Sequence, residues 1–270
     1  MSSLVLAPPA SLISSATNRS ASGSLGGGTL LILGVLTLRG SYQGKFSNEM
    51  KNDFQLLDQQ TALDLKTFLT RAKKMDPKGV VRLRAFGALL TAYVAPLFTA
   101  NILDDGPTVL GLRTMDLKQE AEINVLVPIQ AILDRIAFEL EKPEAEQSFV
   151  FHLESSERVP WAGVSPPRTG WVEATSLPEY MLTGVARKGI IEVAETIPES
   201  VGGPIAARIR SEVWGRAIDL DSKVPAGAAF AAAGLGFLTE GEMVPVFHSQ
   251  GWVRLSSQFG HVLSKEAKHF

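Results

Sequence analysis

The chain has 270 residues, of which 45% are hydrophobic and 20% charged, and it contains no cysteine. That length and balance allow a core large enough to fold without a disulfide or metal staple. The missing thiols exclude disulfides, zinc-thiolate and iron–sulfur sites, and a cysteine nucleophile. Its 26 basic residues are offset by 28 acidic ones for a net charge of -2, without a cluster of five or more Lys or Arg, so nucleic-acid binding is not expected.

Residues 1–28 are dominated by Ser, Ala, Gly and Pro and end in Gly26-Gly27-Gly28, a composition that reads as a flexible low-complexity tail. No positive residue precedes Leu4-Val5-Leu6, and Pro8-Pro9 interrupts the stretch, so a signal peptide is not expected and a cytoplasmic protein is. The glycine triplet lacks the Gly-Lys-Ser/Thr of a phosphate loop. Residues 29–38 form an apolar run suited to a strand buried on both faces, and far short of the roughly 20 residues that span a bilayer as a helix.

A helix follows, with Thr61 and Asp64 as a capping-box variant, Leu65, Phe68, Leu69 and Ala72 on one face, and Asp76-Pro77-Lys78-Gly79 as its stop. Val81, Leu83 and Ala85 alternate with Arg82 and Arg84, which is strand period. Residues 88–95 continue that strand past a bend at Gly87 or begin another. Two further strands are expected at 108–117 and 123–127, separated by a polar turn. Pro128 then opens a helix in which Ile129, Ile132, Leu133, Ile136 and Leu140 share a face and Arg135 can pair with Glu139.

After a short strand at 149–153 comes the loop Pro160-Trp161-Ala162-Gly163-Val164-Ser165-Pro166-Pro167-Arg168-Thr169-Gly170-Trp171, whose prolines and glycines predict no regular element. Ser176 and Glu179 fit a capping box for a helix running to Pro198, and Gly203-Pro204 starts another with Arg208, Glu212 and Arg216 on a solvated face. Residues 226–238 contain Ala, Gly, Phe and Leu only, so that helix must be buried on every side. Strands at 243–247, 251–255 and 259–263, joined by tight turns at Ser249-Gln250 and Ser257-Gln258, predict a C-terminal meander. The expected fold is α+β: a mixed or largely antiparallel sheet packed against several helices. Residues 29–270 would form one globular domain, with two intimate lobes dividing near 155–175 as the alternative.

Thr108-Val109-Leu110-Gly111-Leu112-Arg113, Trp161-Ala162-Gly163-Val164-Ser165-Pro166-Pro167-Arg168 with Gly170-Trp171, and the Gly-Ala-rich helix with Gly236-Phe237-Leu238 together resemble an uncharacterised actinobacterial protein family of unknown function. The resemblance implies no activity, ligand or catalytic residue.

The chemistry available is sparse. His152, His248, His261 and His269 lie in no metal-binding pattern, and neither a metal nor a cofactor is expected. His152 and Glu154 share a strand face, as a dyad or as a plain exposed surface. Ser165 lacks the second glycine of a nucleophile elbow and is followed by Pro166, which has no N–H to offer an oxyanion hole. Arg82, Arg84 and Arg113 can clamp a carboxylate or phosphate, or else form an ion-paired sheet face. Trp161, Arg168 and Trp171 combine residue types enriched in interface hot spots on a proline-stiffened loop, with a lid over the core as the competing reading. The favoured function is a soluble binding or assembly protein that recognises a protein partner or a second copy through this loop. The alternative is an enzyme acting on an anionic small molecule held by the arginines.

Overall fold

The computed structural model describes residues 52–99, 106–197, 202–219 and 221–267. The tail expected at 1–28 and the strand expected at 29–38 lie outside the described residues. The first elements are β1 (Asp53–Gln55) and α1 (Gln59–Met75). Helix α1 begins before Thr61 because Asp58, not Thr61, is its N-cap: the Asp58 carboxylate accepts from the Thr61 N–H and hydroxyl, each at 2.7 Å. Leu65, Phe68, Leu69 and Ala72 are buried, as the helical spacing predicts.

β2 (Val80–Leu97) is one bent strand, with a register shift between Gly87 and Leu89 and Gly87 at φ 64°. It pairs antiparallel with β3 (Val109–Pro128), which runs unbroken through the segment expected to turn. The polar residues Lys118, Gln119 and Glu120 point to solvent, while the ladder resumes at Ala121 and Glu122 opposite Gly87 and Phe86. α2 (Ile129–Leu140) follows directly, capped by Pro128. Glu139 feels the charge of Arg135 but forms its direct bonds elsewhere. It is buried and accepts from Lys142 at 2.9 Å and the Ser148 N–H at 3.0 Å, contacts that hold its carboxyl below the usual range against the opposing effect of burial.

β4 (Val150–His152) pairs with β1 in a separate two-stranded sheet. The following loop contains one 3-10 turn at Pro160–Gly163, and β5 (Val172–Pro178) occupies residues expected to lead into a helix. Pro178, rather than Ser176, precedes α3 (Glu179–Thr196). On α4 (Gly203–Gly215) Arg208 pairs with Glu212 at 2.9 Å, whereas Arg216 reaches Glu192 of α3 at 2.7 Å.

α5 (Ala226–Leu235) is buried over most of its surface and ends at Gly236 in the left-handed region, three residues short of the expected limit. It lies close against β3: a methyl group on Gly111 would sit 2.2 Å from Leu235 Cδ1. β6 (Met243–Ser249), β7 (Trp252–Ser257) and β8 (Gly260–Lys265) form the expected meander. Gln250 and Gly251 both have positive φ, the requirement of a two-residue type I′ hairpin turn.

The main sheet has the order β2-β3-β8-β7-β6-β5, and each of its pairings is antiparallel. One face and the helices enclose the main core, including Leu65, Val81, Ile132, Leu182, Ala229, Val246 and Val262. In a smaller cluster, Ala95, Leu110, Trp252 and Leu263 alternate with core residues along their strands and so lie on the other face, where Trp161 of the loop packs against them. The fold is α+β. All described residues belong to one compact unit, 47–270. Among the described residues, no helix is long and apolar enough to cross a membrane.

Candidate functional site

Of the three arginines of the clamp reading, Arg82 and Arg84 share one face of the sheet and Arg113 lies on the other. Arg82 and Arg84 alternate with Val81 and Leu83 of the main core and so face away from the helices. Arg82 donates through Nε to Asn124 Oδ1 at 2.9 Å and through Nη1 to the Ala162 carbonyl at 2.7 Å. Burial, with the Arg84 charge beside it, lowers its pKa. Arg113, opposite Ala92 on the ladder, turns to the helical side and grips Asp64 of α1 with two bonds, Nε to Oδ2 at 2.7 Å and Nη2 to Oδ1 at 2.6 Å. It also donates to the Phe259 carbonyl. Arg82 fastens the loop, and Arg113 fastens α1 to the sheet.

Arg113 does line a depression of about 450 Å³ between α1, the end of α5 and the β7–β8 turn, together with Asp64, Arg71, Phe237, Glu240 and Phe259. Arg113 is already paired with Asp64, which an anionic substrate would have to displace, and Arg71 donates through Nη1 to the Leu235 and Gly236 carbonyls at 3.2 and 3.1 Å, where it caps the C-terminus of α5. Arg82 and Arg84 do not line the depression.

The loop is docked on the outer face of the sheet. Trp161 is 4% exposed and packs with Ala95, Leu110, Trp252 and Leu263, so it is an interior plug and not part of an exposed recognition surface. The loop is tied further by Arg82 to the Ala162 carbonyl and by Ser249 Oγ to the Thr169 carbonyl at 3.2 Å. The Trp171 indole N–H donates to the Pro167 carbonyl at 3.0 Å and closes a turn that carries Arg168. Arg168 is exposed, and Trp171 is half-buried.

The sheet beneath this turn supplies a residue the sequence reading missed. Arg254 of β7 lies with its Cζ 4.9 Å from the centre of the Trp171 ring and 4.4 Å from that of Phe247 on β6. Burial lowers its pKa. The signal was present in Trp252-Val253-Arg254-Leu255, whose alternation puts Arg254 on the face of Trp252. Ser256 continues that face, and its Oγ is 3.0 Å from Nδ1 of His261 on β8. Burial first, then the charges of Arg254 and Arg113, hold His261 below its ordinary pKa.

His152 faces Asp53 across β1 and β4 at 2.9 Å, not Glu154, and is well exposed. His248 Nδ1 is 3.0 Å from Glu266, which Lys223 also approaches at 3.5 Å. His269 lies outside the described residues. Among the described residues, no three His, Cys, Asp or Glu side chains gather as metal ligands would.

Residues 50–157 match the model of a domain of unknown function, DUF8010, and residues 166–269 that of a second domain of unknown function, DUF8185. No curated protein matches the chain. Among solved structures, the chain is similar to a candidate DNA polymerase III beta subunit from Eubacterium rectale, with 10% identity and a TM-score of 0.49 over 81% of this chain and 65% of that one. The DNA polymerase III subunit beta of Borrelia burgdorferi gives 10% and 0.46, over 79% and 64%. The DNA polymerase sliding clamp of Pseudomonas aeruginosa gives 12% and 0.42, over 81% and 65%. The chain thus spans about two thirds or less of these proteins' lengths, and at such scores the likeness transfers no role to it.

Proposed function

We propose that this chain is a binding or assembly protein whose recognition surface is the turn carrying Arg168 and Trp171, together with the sheet face below it. The observation that carries this reading is the way the loop is held. Trp161, Arg82, Ser249 and the Trp171–Pro167 bond fix it to the sheet, and Arg168 is nonetheless left exposed. A surface ordered in advance loses little entropy on docking, and Arg and Trp are the side chains that dominate interface hot spots. The partner is a protein or a second copy of the chain.

The test separates anchoring from recognition. Trp161→Ala is expected to cost about 3–5 kcal/mol of unfolding stability, because it empties a packed site. Arg168→Ala should stay within about 0.5 kcal/mol of the parent in urea unfolding. Sedimentation velocity and affinity capture then compare the parent with Arg168→Ala at equal stability. A self-association or a set of captured proteins present with the parent and missing with the variant supports the reading, and identical behaviour sinks it.

A second reading, an enzyme acting on an anionic small molecule, is favoured by one observation. The Ser256 hydroxyl lies 3.0 Å from a His261 imidazole whose surroundings hold it unprotonated near neutral pH, an arrangement suited to activating a nucleophile. Covalent labelling of Ser256 by a fluorophosphonate, lost in His261→Asn, would decide for it.

A further inference from the structure

The outer face of the sheet carries a guanidinium that no acid neutralises among the described residues. Arg113, Arg208 and Arg216 each meet a carboxylate, at 2.6, 2.9 and 2.7 Å. Arg254 meets none there; its neighbours are the rings of Trp171 and Phe247, and its Nε is buried without a hydrogen-bond partner. Glu173 is the nearest acidic position in the register, opposite Phe247 on the strand beyond, and it is not paired with Arg254. A buried donor left unmatched costs free energy, and flanking rings fix the guanidinium without using its in-plane N–H groups. Its terminal Nη groups form no hydrogen bond among the described residues either, and it is through these, not the buried Nε, that an incoming acceptor would bond.

We propose that Arg254 is the anchoring cation of a docking surface for an acidic peptide segment of a partner protein. A carboxylate of that segment accepts from Arg254, with Trp171 and Phe247 as its aromatic platform. This rests on the loop-recognition reading above and gives the partner its chemistry. Arg168 stands on the neighbouring turn, and Lys265 lies over the Trp252 ring, 4.6 Å from its centre, on the adjoining strand. Three cations suit a short run of Asp or Glu. A nucleic-acid track engages more phosphates than that, and the chain as a whole carries a net charge of -2. The depression lined by Asp64, Arg71 and Arg113 does not include Arg254, Trp171 or Phe247.

The probe is a short fluorescein-labelled oligoglutamate, titrated into the full chain at low salt and followed by anisotropy, with oligothymidylate in a parallel arm. The expected result is saturable, salt-sensitive binding of oligoglutamate, weakened about tenfold or more in Arg254→Gln and less in Arg254→Lys. In the unmodified chain, the Arg254 Nε–H resonance should shift on titration, a readout that does not depend on how a variant folds. Unchanged affinity in a folded Arg254→Gln overturns the assignment to Arg254; if affinity then falls in Arg168→Ala, the loop reading survives without it. Arg254-dependent binding of oligothymidylate that exceeds that of oligoglutamate overturns the acidic peptide in favour of nucleic acid. Binding of neither probe overturns the proposal outright, while the capture comparison with Arg168→Ala still decides the loop reading by itself.

Discussion

His261 has its proton affinity set by its surroundings. Burial and the charges of Arg254 and Arg113 depress its pKa in the folded chain, whereas the unfolded chain binds a proton at about 6.5. As pH falls below that value the unfolded state takes up the proton first. Stability is therefore complete above about 6.5 and is lost progressively as pH drops toward the folded value. Glu139, Asp219 and Glu266 are also lowered, but as carboxyls they lose their contribution at more acid pH. His261→Asn should flatten the dependence of Tm on pH just below about 6.5 and leave the acid limb set by the carboxyls in place. An unchanged slope in calorimetry would show that the imidazole titrates alike in both states. At this scale the sequence was a partial guide. The alternation that puts Arg82 and Arg84 on the face away from the helices was legible, but whether an arginine meets a carboxylate, a carbonyl or an indole depends on partners such as Asp64, Ala162 and Trp171, which are distant in the chain. The burial of Trp161 was not legible for the same reason, since the cluster it plugs is assembled from four strands, β2, β3, β7 and β8.

The elements most legible in sequence were those whose burial is written in their composition. Residues 226–238 announce a buried helix, and α5 buries Ala229 and Ala231 completely. Ala231→Asp would place a carboxylate in the main core without a partner and is expected to cost several kcal/mol, read as loss of the folded fraction in urea. A soluble variant with parental stability would put the helix at a surface. The elements that were missed owe little to burial. β5 exposes Val172, Glu173, Ala174 and Thr175 and is held as a strand by its ladder to β6. The middle of β3, Lys118 to Glu120, is equally polar and has no partner on β2; the pairings on either side of it, at Asp116 and Ala121, carry the strand across. Periodicity reports which face is buried; a strand solvated on both faces leaves no such trace.

Over the whole molecule, the two family matches meet in one continuous sheet. Val109, Leu110, Gly111 and Leu112 of β3 pair with Ser264, Leu263, Val262 and His261 of β8, and the main core draws Leu65 and Ile132 from one segment and Leu182 and Val246 from the other. We expect residues 52–267 to unfold as one cooperative unit, with urea transitions by far-ultraviolet circular dichroism and tryptophan fluorescence superimposing. Separated midpoints would instead establish two lobes. Among the described residues the same sheet has two ends, β2 and β5, and an unpaired edge of backbone donors and acceptors is a template on which further chains can polymerise. Both ends are spoiled for that purpose. β2 shifts register twice and carries Pro96 near its end; β5 shifts between Glu173 and Thr175, carries an exposed acid at Glu173 and terminates in Pro178. Deleting Ala174 together with Glu173→Val would straighten and neutralise one edge, and should give more thioflavin-positive fibril on storage than the parent chain does. The irregularities in register thus act as colloidal protection, keeping a sheet with open margins from growing beyond its own chain.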